Sequence, residues 1–211
     1  MIEAKQKRIL DEFNRLFPNA KCELIHHNNF EMLVAVVLSA QTTDASVNKV
    51  TPALFEAYPT PQAMADADLE DLMEKVRRLG LYRNKARSIK KVSQALVDEY
   101  DGIVPHTMKQ LTSLPGVGRK TANVVLGECF GVPSVPVDTH VERISKRLGF
   151  AKKGDSVLTV EKKLKRTLPR DQWMKLHHQF IFFGRYFCKS SHPNCKECRL
   201  VDLCKEEHKN L

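Results

Sequence analysis

Long hydrophobic runs are absent from this sequence. The longest, Met32-Leu33-Val34-Ala35-Val36-Val37-Leu38, is far short of the ~20 residues a membrane helix needs, and reads as a buried core helix. The opening residues, MIEAKQKRILDEF, carry charges throughout and no apolar core of a signal peptide, so the protein is expected in the cytoplasm, off the membrane. No stretch alternates β-branched and polar residues with period two, which argues against a sheet. Internal repeats and low-complexity segments are also missing. Acidic residues are the scarcer charge, 25 against 34 Lys and Arg, for a net +9 and a pI near 9.3. That balance favours a polyanionic partner such as nucleic acid or an anionic surface, although a basic protein with no such partner has the same composition. In a reducing compartment, six cysteines point to metal or catalysis more than to disulfides.

What is present reads as helix after helix. The 211 residues, 42% hydrophobic, suffice for one large or two small domains with a real core. Apolar positions Ile2, Ile9, Leu10, Phe13, Leu16 and Phe17 mark a helix over 2–17, ended by Pro18-Asn19. Further helices are expected over 30–39, 44–58 (capped by Asp44 and disturbed by Pro52), 68–79 (with Gly80 as C-cap) and 84–100. Pro59 and Pro61 should break the chain. Segments 107–113, 119–130, 138–149, 156–168 and 171–187 complete an all-α fold.

Four cysteines crowd the C-terminus with the spacing C-x6-C-x2-C-x5-C: Cys188, Cys195, Cys198 and Cys204. Thiolates so close in sequence can converge on one centre without a large fold around them. The spacing is neither that of common zinc fingers nor the ferredoxin run, and four thiolates suit zinc or an iron–sulfur centre. Cys22 and Cys129 stand apart and read as small buried hydrophobes.

The most informative stretch is Leu114-Pro115-Gly116-Val117-Gly118-Arg119-Lys120. Two glycines bracket one apolar residue between two short helices. The second helix starts at or near Gly118, so its free N–H groups suit a phosphate: a helix–hairpin–helix grip on the DNA backbone. A plain interhelix turn has the same pattern. Lys120 lies in the first turn of that helix. An amine with a pKa of ~10.4 must lose its proton to act as a nucleophile, and both the helix dipole and burial disfavour the ammonium form. Lys120 therefore suits Schiff-base chemistry, or equally a phosphate contact beside Arg119. Asp138, after the apolar Val135-Pro136-Val137, could take a proton or steady a cationic sugar. It also suits an N-cap, as Thr139-x-x-Glu142 suits a capping box.

Together these motifs resemble the endonuclease III family, the bifunctional branch of the helix–hairpin–helix DNA glycosylases. LPGVGRKTANVV at 114–125, VPVDTHVERISKRLG at 135–149, the cysteine quartet, LSAQTTDASVNK at 38–49 and GLYRNKA at 80–86 match in order over nearly the whole chain. The resemblance implies two helical domains with DNA in the cleft between them. One is a six-helix barrel, 21–132, holding the hairpin at about 107–130. The other joins 1–20 to 133–211 and carries a [4Fe-4S] cluster on Cys188, Cys195, Cys198 and Cys204. It implies Lys120 as nucleophile, Asp138 as catalytic carboxylate, and DNA contacts from Gln41, Leu81, Gly116, Val117, Gly118, Arg119 and Lys189. Gln41 and Leu81 would enter the duplex where a nucleotide is flipped out.

The implied partner is double-stranded DNA with damaged pyrimidines or abasic sites. Lys120 would displace an oxidised base, and β-elimination would cut the strand on the 3′ side. With about five phosphates engaged, binding should vary with salt at a log–log slope of roughly −4.5. An adenine-mismatch glycosylase would lack the lysine and place a glutamate in the helix where Glu31 stands too early. It would also add a C-terminal domain. A DNA-binding or redox module would need neither Lys120 nor Asp138. No oligomerisation signal stands out, so a monomer is expected.

Overall fold

Residues 3–211 are described by a computed structural model. Ile2, the first apolar position of the expected N-terminal helix, lies outside them. The described residues are helical throughout, with no strand. No helix among them is long and apolar enough to cross a membrane.

The chain divides into two compact units, Glu23–Val132 and Met1–Cys22 with Pro133–Leu211. The first is one continuous stretch. It contains α2 (Asn29–Leu38), α3 (Asp44–Asn48), α4 (Thr51–Ala57), α5 (Pro61–Asp66), α6 (Leu69–Lys75), α7 (Tyr82–Tyr100), α8 (Met108–Ser113) and α9 (Arg119–Phe130). The apolar run forms α2, buried from Phe30 to Leu38 and packed against α7 and α9. A helix apolar all round has to lie inside. The expected six helices are eight segments here because of two prolines. Pro52 sits in the first turn of α4, so the segment expected over 44–58 divides around Lys49-Val50. Pro61, expected only to break the chain, opens α5 instead, where its missing N–H costs nothing, and Thr60 caps it.

Two caps also differ from expectation. Thr43, not Asp44, caps α3, its Oγ1 accepting from Ser46 N at 3.2 Å. Gly80 does not close α6, which ends at Lys75 with Val76 as its cap.

The other unit joins α1 (Ala4–Leu16) to α10 (Thr139–Arg147), α11 (Val157–Thr167) and α12 (Trp173–Phe182), the last running into a π-turn, Phe183–Phe187. Phe13 of α1 meets Phe180 and Phe183, each with ring centroids 5.0 Å apart. Ile9, Val141, Ile144, Leu148, Leu164 and Leu176 complete that core. Arg8 holds Asp202 at 2.6 Å and the Arg199 carbonyl at 2.6 Å, joining the first helix to the last loop. Val135–Val137 is buried and forms no strand among the described residues.

Candidate active site and cysteine pocket

The hairpin is a turn whose chemistry dictates its shape. Val117 N donates to Leu114 O at 3.1 Å across Pro115-Gly116, and Gly116 has φ 78°. Pro at the second position and a left-handed glycine at the third make a type II turn. A side chain at Gly116 would meet only Ser88, at 3.8 Å, so the backbone angle is what demands glycine. Leu114 and Val117 are buried pegs. Val117 thus spends its side chain on the core and its N–H on the turn, leaving neither for DNA. Gly118 is the N-cap of α9, with an ordinary φ of −85°; it has no side chain to cap the helix, and a Cβ there would meet nothing within 4 Å. The first-turn N–H groups of α9 thus have no side-chain cap, and the space beside Gly118 is open.

Lys120 and Arg119 stand at this helix start, both exposed. The burial expected of Lys120 from the sequence is therefore not found.

Gln41 and Leu81 share a signal that their residue types do not advertise. Both are left-handed, with φ 54° and 56°. For a leucine that is a costly backbone state, held only where the surroundings impose it. Leu81 is also 59% exposed. Thr42, next to Gln41, accepts a short hydrogen bond from Lys85 Nζ, and Lys85 N bonds the Leu81 carbonyl at 3.1 Å. Lys85 is only 5% exposed, and burial lowers the pKa of its ammonium. The first two turns of α7 therefore gather three elements: Leu81 at the start, the Gln41 loop through Lys85, and the hairpin through Ser88. Lys85 and Thr42 were not legible as site residues, because only the fold pairs them.

In the other unit Asp138 is half-buried and caps α10, its Oδ1 accepting from Val141 N at 2.8 Å. No Thr139 capping box forms; Glu142 pairs with Lys146 at 2.6 Å instead. Burial pulls the nearby His140 imidazole below its ordinary pKa. Arg143 Nη2 donates to the carbonyls of Gly184 at 2.7 Å and Cys188 at 3.2 Å. A side chain on Gly184 would come within 3.0 Å of the His140 Cβ, so close helix approach requires glycine there.

Cys188, Cys195, Cys198 and Cys204 line one pocket with Ile144, Leu148, Phe183, Phe187, Pro193 and Val201. All four are free thiols, and burial raises the pKa of Cys188 and Cys198. Arg147 Nη1 donates to Cys188 Sγ at 3.3 Å and to the Lys189 carbonyl at 2.8 Å. Lys189 itself is exposed. Among the described residues, no three His, Cys, Asp or Glu converge closely enough for a single metal ion. Cys22 and Cys129 are half-buried rather than buried, and burial pushes the Cys129 thiol up to about 12.

Residues 34–170 match the HhH-GPD superfamily of base excision DNA repair proteins. The chain is 52% identical over 210 residues to endonuclease III of Bacillus subtilis (strain 168), covering 99% of this chain and 96% of that one. The chain belongs to the endonuclease III branch of the HhH-GPD superfamily. It is a base-excision-repair DNA glycosylase and AP lyase. Endonuclease III of Escherichia coli (strain K12) is 42% identical over 209 residues, covering 99% of each chain. A trapped endonuclease III–DNA covalent intermediate is 56% identical with a TM-score of 0.92, covering 98% of this chain and 97% of the other. A thermostable thymine-DNA glycosylase, 20% identical, shares the fold at a TM-score of 0.83.

Proposed function

We propose that this enzyme removes oxidised pyrimidines from duplex DNA through a Schiff base on Lys120, then cuts the strand 3′ to the abasic site. The observation that carries this reading is the exposed Lys120 in the first turn of α9, directly after the uncapped Gly116–Gly118 hairpin. The uncapped amides that open α9 and Arg119 hold backbone phosphates. Gln41 and Leu81, strained and exposed, fill the gap left by the extruded nucleotide, whose flipping costs roughly a few kcal/mol.

The Lys120 amine forms a bond to C1′ as the bond from C1′ to the base breaks, and the base leaves with that electron pair. Ring opening yields an iminium between Nζ and C1′, which makes the C2′ proton acidic. Loss of that proton expels the 3′ phosphate, and water then releases Lys120. Asp138 accepts a proton or steadies positive charge at the sugar. It does so while capping α10, since its second carboxylate oxygen is left by the cap.

Cys188, Cys195, Cys198 and Cys204 would hold the [4Fe-4S] cluster. Four thiols around an apolar pocket, rather than around a point, fit a multi-atom cluster better than one ion. Bound there, it would cross-link the 188–204 loop and leave Lys189 to meet the DNA backbone. In this reading residues 21–132 form the hairpin domain and 1–20 with 133–211 the cluster domain. The enzyme acts as a cytoplasmic monomer.

The test is borohydride trapping on a duplex with one thymine glycol. A covalent protein–DNA band that is lost in Lys120→Ala supports the reading. Base release with no band from the unaltered protein refutes the Schiff base.

A further inference from the structure

A concavity in the unit that holds the cysteine quartet lies at the far end of α10 from Asp138. It has a volume near 650 Å³ and a lining of seven cationic side chains against two carboxylates, Glu206 and Glu207. Three of the cations are accounted for locally. Lys146 pairs with Glu142, Arg147 with Glu206 and Lys163 with Asp155. Helix ends attract cations, which explains Arg166 in the last turn of α11 in part. Lys152, Lys153 and Lys205 lie beyond that explanation. All four remaining cations are exposed, and none forms an ion pair among the described residues. Lys5 adds to them, its Nζ lying 2.8 Å from where a Cβ on Gly149 would stand, with Lys205 beside it.

We propose that this basic concavity is a second DNA-backbone contact, distinct from the lesion site and serving the flanking duplex. Like charges held this close repel one another, and a row of phosphates relieves that repulsion. The four unpaired charges sit on long, solvent-exposed side chains. That suits a polymer's phosphates rather than a small anion, which would need fixed donors. Nine residues of α10 span about 13 Å, so DNA reaching the pocket lies roughly four base pairs or more from the nucleotide at Asp138. The inference rests on the DNA-repair reading above.

The test compares the unaltered protein with a Lys152→Gln, Lys153→Gln, Arg166→Gln, Lys205→Gln variant. The duplexes, each with one abasic site, run to about three helical turns, or to only about three base pairs on either side of the site. Filter binding across a salt series gives the slope, and single-turnover cleavage at saturating protein gives the chemistry. Circular dichroism melting confirms that the variant folds. On the long duplex the slope should become shallower by about 0.9 for each phosphate that the variant no longer neutralises, roughly 2 to 4 in all. On the short duplex the slope, and on both the cleavage rate, should not change.

An equally shallower slope on both duplexes, or slower cleavage, would place these residues at the lesion and overturn the proposal. Unchanged slopes on both would overturn it too, and inorganic tripolyphosphate bound only by the unaltered protein would then identify a small-anion pocket. If the unaltered protein cleaves neither duplex, the repair reading itself fails, a result the slope comparison does not mimic.

Discussion

The two units place their chemistry in opposite ways. The hairpin unit is one continuous stretch, and the groups proposed to meet DNA sit where backbone is strained or uncapped: Gln41, Leu81, Gly116 and the amides after Gly118. The other unit is stitched from both ends of the chain, and long-range polar links hold it: Arg8 to Asp202, Arg147 to Glu206 and Cys188. A local device is written into neighbouring residues, whereas a stitched one exists only once distant segments meet. The fold of the hairpin unit should therefore tolerate loss of charge and suffer from backbone change, and that of the stitched unit the reverse.

The largest expected effect is on chemistry. Lys120→Ala should abolish trapping and slow strand cleavage by at least about a thousandfold, while lesion DNA is still retained in gel-shift assays. Strong residual trapping would move the nucleophile elsewhere.

Next come the four cysteines proposed to hold the cluster. Cys198→Ala should leave residues 133–211 open to limited proteolysis while 23–132 resist, because a centre bound only by folded chain contributes its binding energy to folding. Cys22→Ala should change neither pattern. Equal sensitivity of both units would break the comparison.

Third, Lys85→Met and Thr42→Val should each slow single-turnover excision from duplex by about ten- to hundredfold, since small misplacement of inserting groups is costly. Neither should slow cleavage of an abasic site in single-stranded DNA, where nothing has to be extruded. The double variant should be no worse than the singles.

Gly116→Ala comes fourth, costing about 1–2 kcal/mol in urea unfolding because alanine resists the left-handed angle.

The smallest effect is on pH. Glu12, Asp155, Asp202 and Glu206 are held below the ordinary carboxylate range by hydrogen bonds from Arg15, Lys163, Arg8 and Arg147. A depressed carboxylate stabilises the fold above its unfolded pKa of ~4 and ceases to as pH falls through its folded value. All four lie in the stitched unit, so mild acid below about pH 4 should raise proteolysis there first. On the alkaline side the hydrogen bond to Asp71 pushes the Tyr58 phenol up to about 12, and its contribution is lost only as pH rises toward that value. Tyr58 belongs to the hairpin unit, so alkali should act there. Acid cleavage starting in 23–132 would contradict this ordering.

Much of the fold and of the hairpin is legible along the chain because the signals are local. Helical periodicity marks the elements, and the hairpin helix over 119–130 starts and stops where Gly118 and Gly131 stand. Prolines mislead: the pattern shows where a helix is interrupted, but not that Pro61 can open one. Thr42 and Lys85 are 43 positions apart, and neither carries a mark of its partner.

By itself, then, the sequence determined the all-α class, the turn at Pro115-Gly116, the cap at Asp138 and the quartet of thiols, because each depends on residues within a turn or two of one another. Only the tertiary structure decided that Lys120 is exposed and that Gln41 and Leu81 are strained. It alone decided that Arg147 reaches Cys188 and that unpaired lysines gather beyond α10. Those outcomes depend on which distant surfaces pack and exclude water, and spacing along the chain does not encode that.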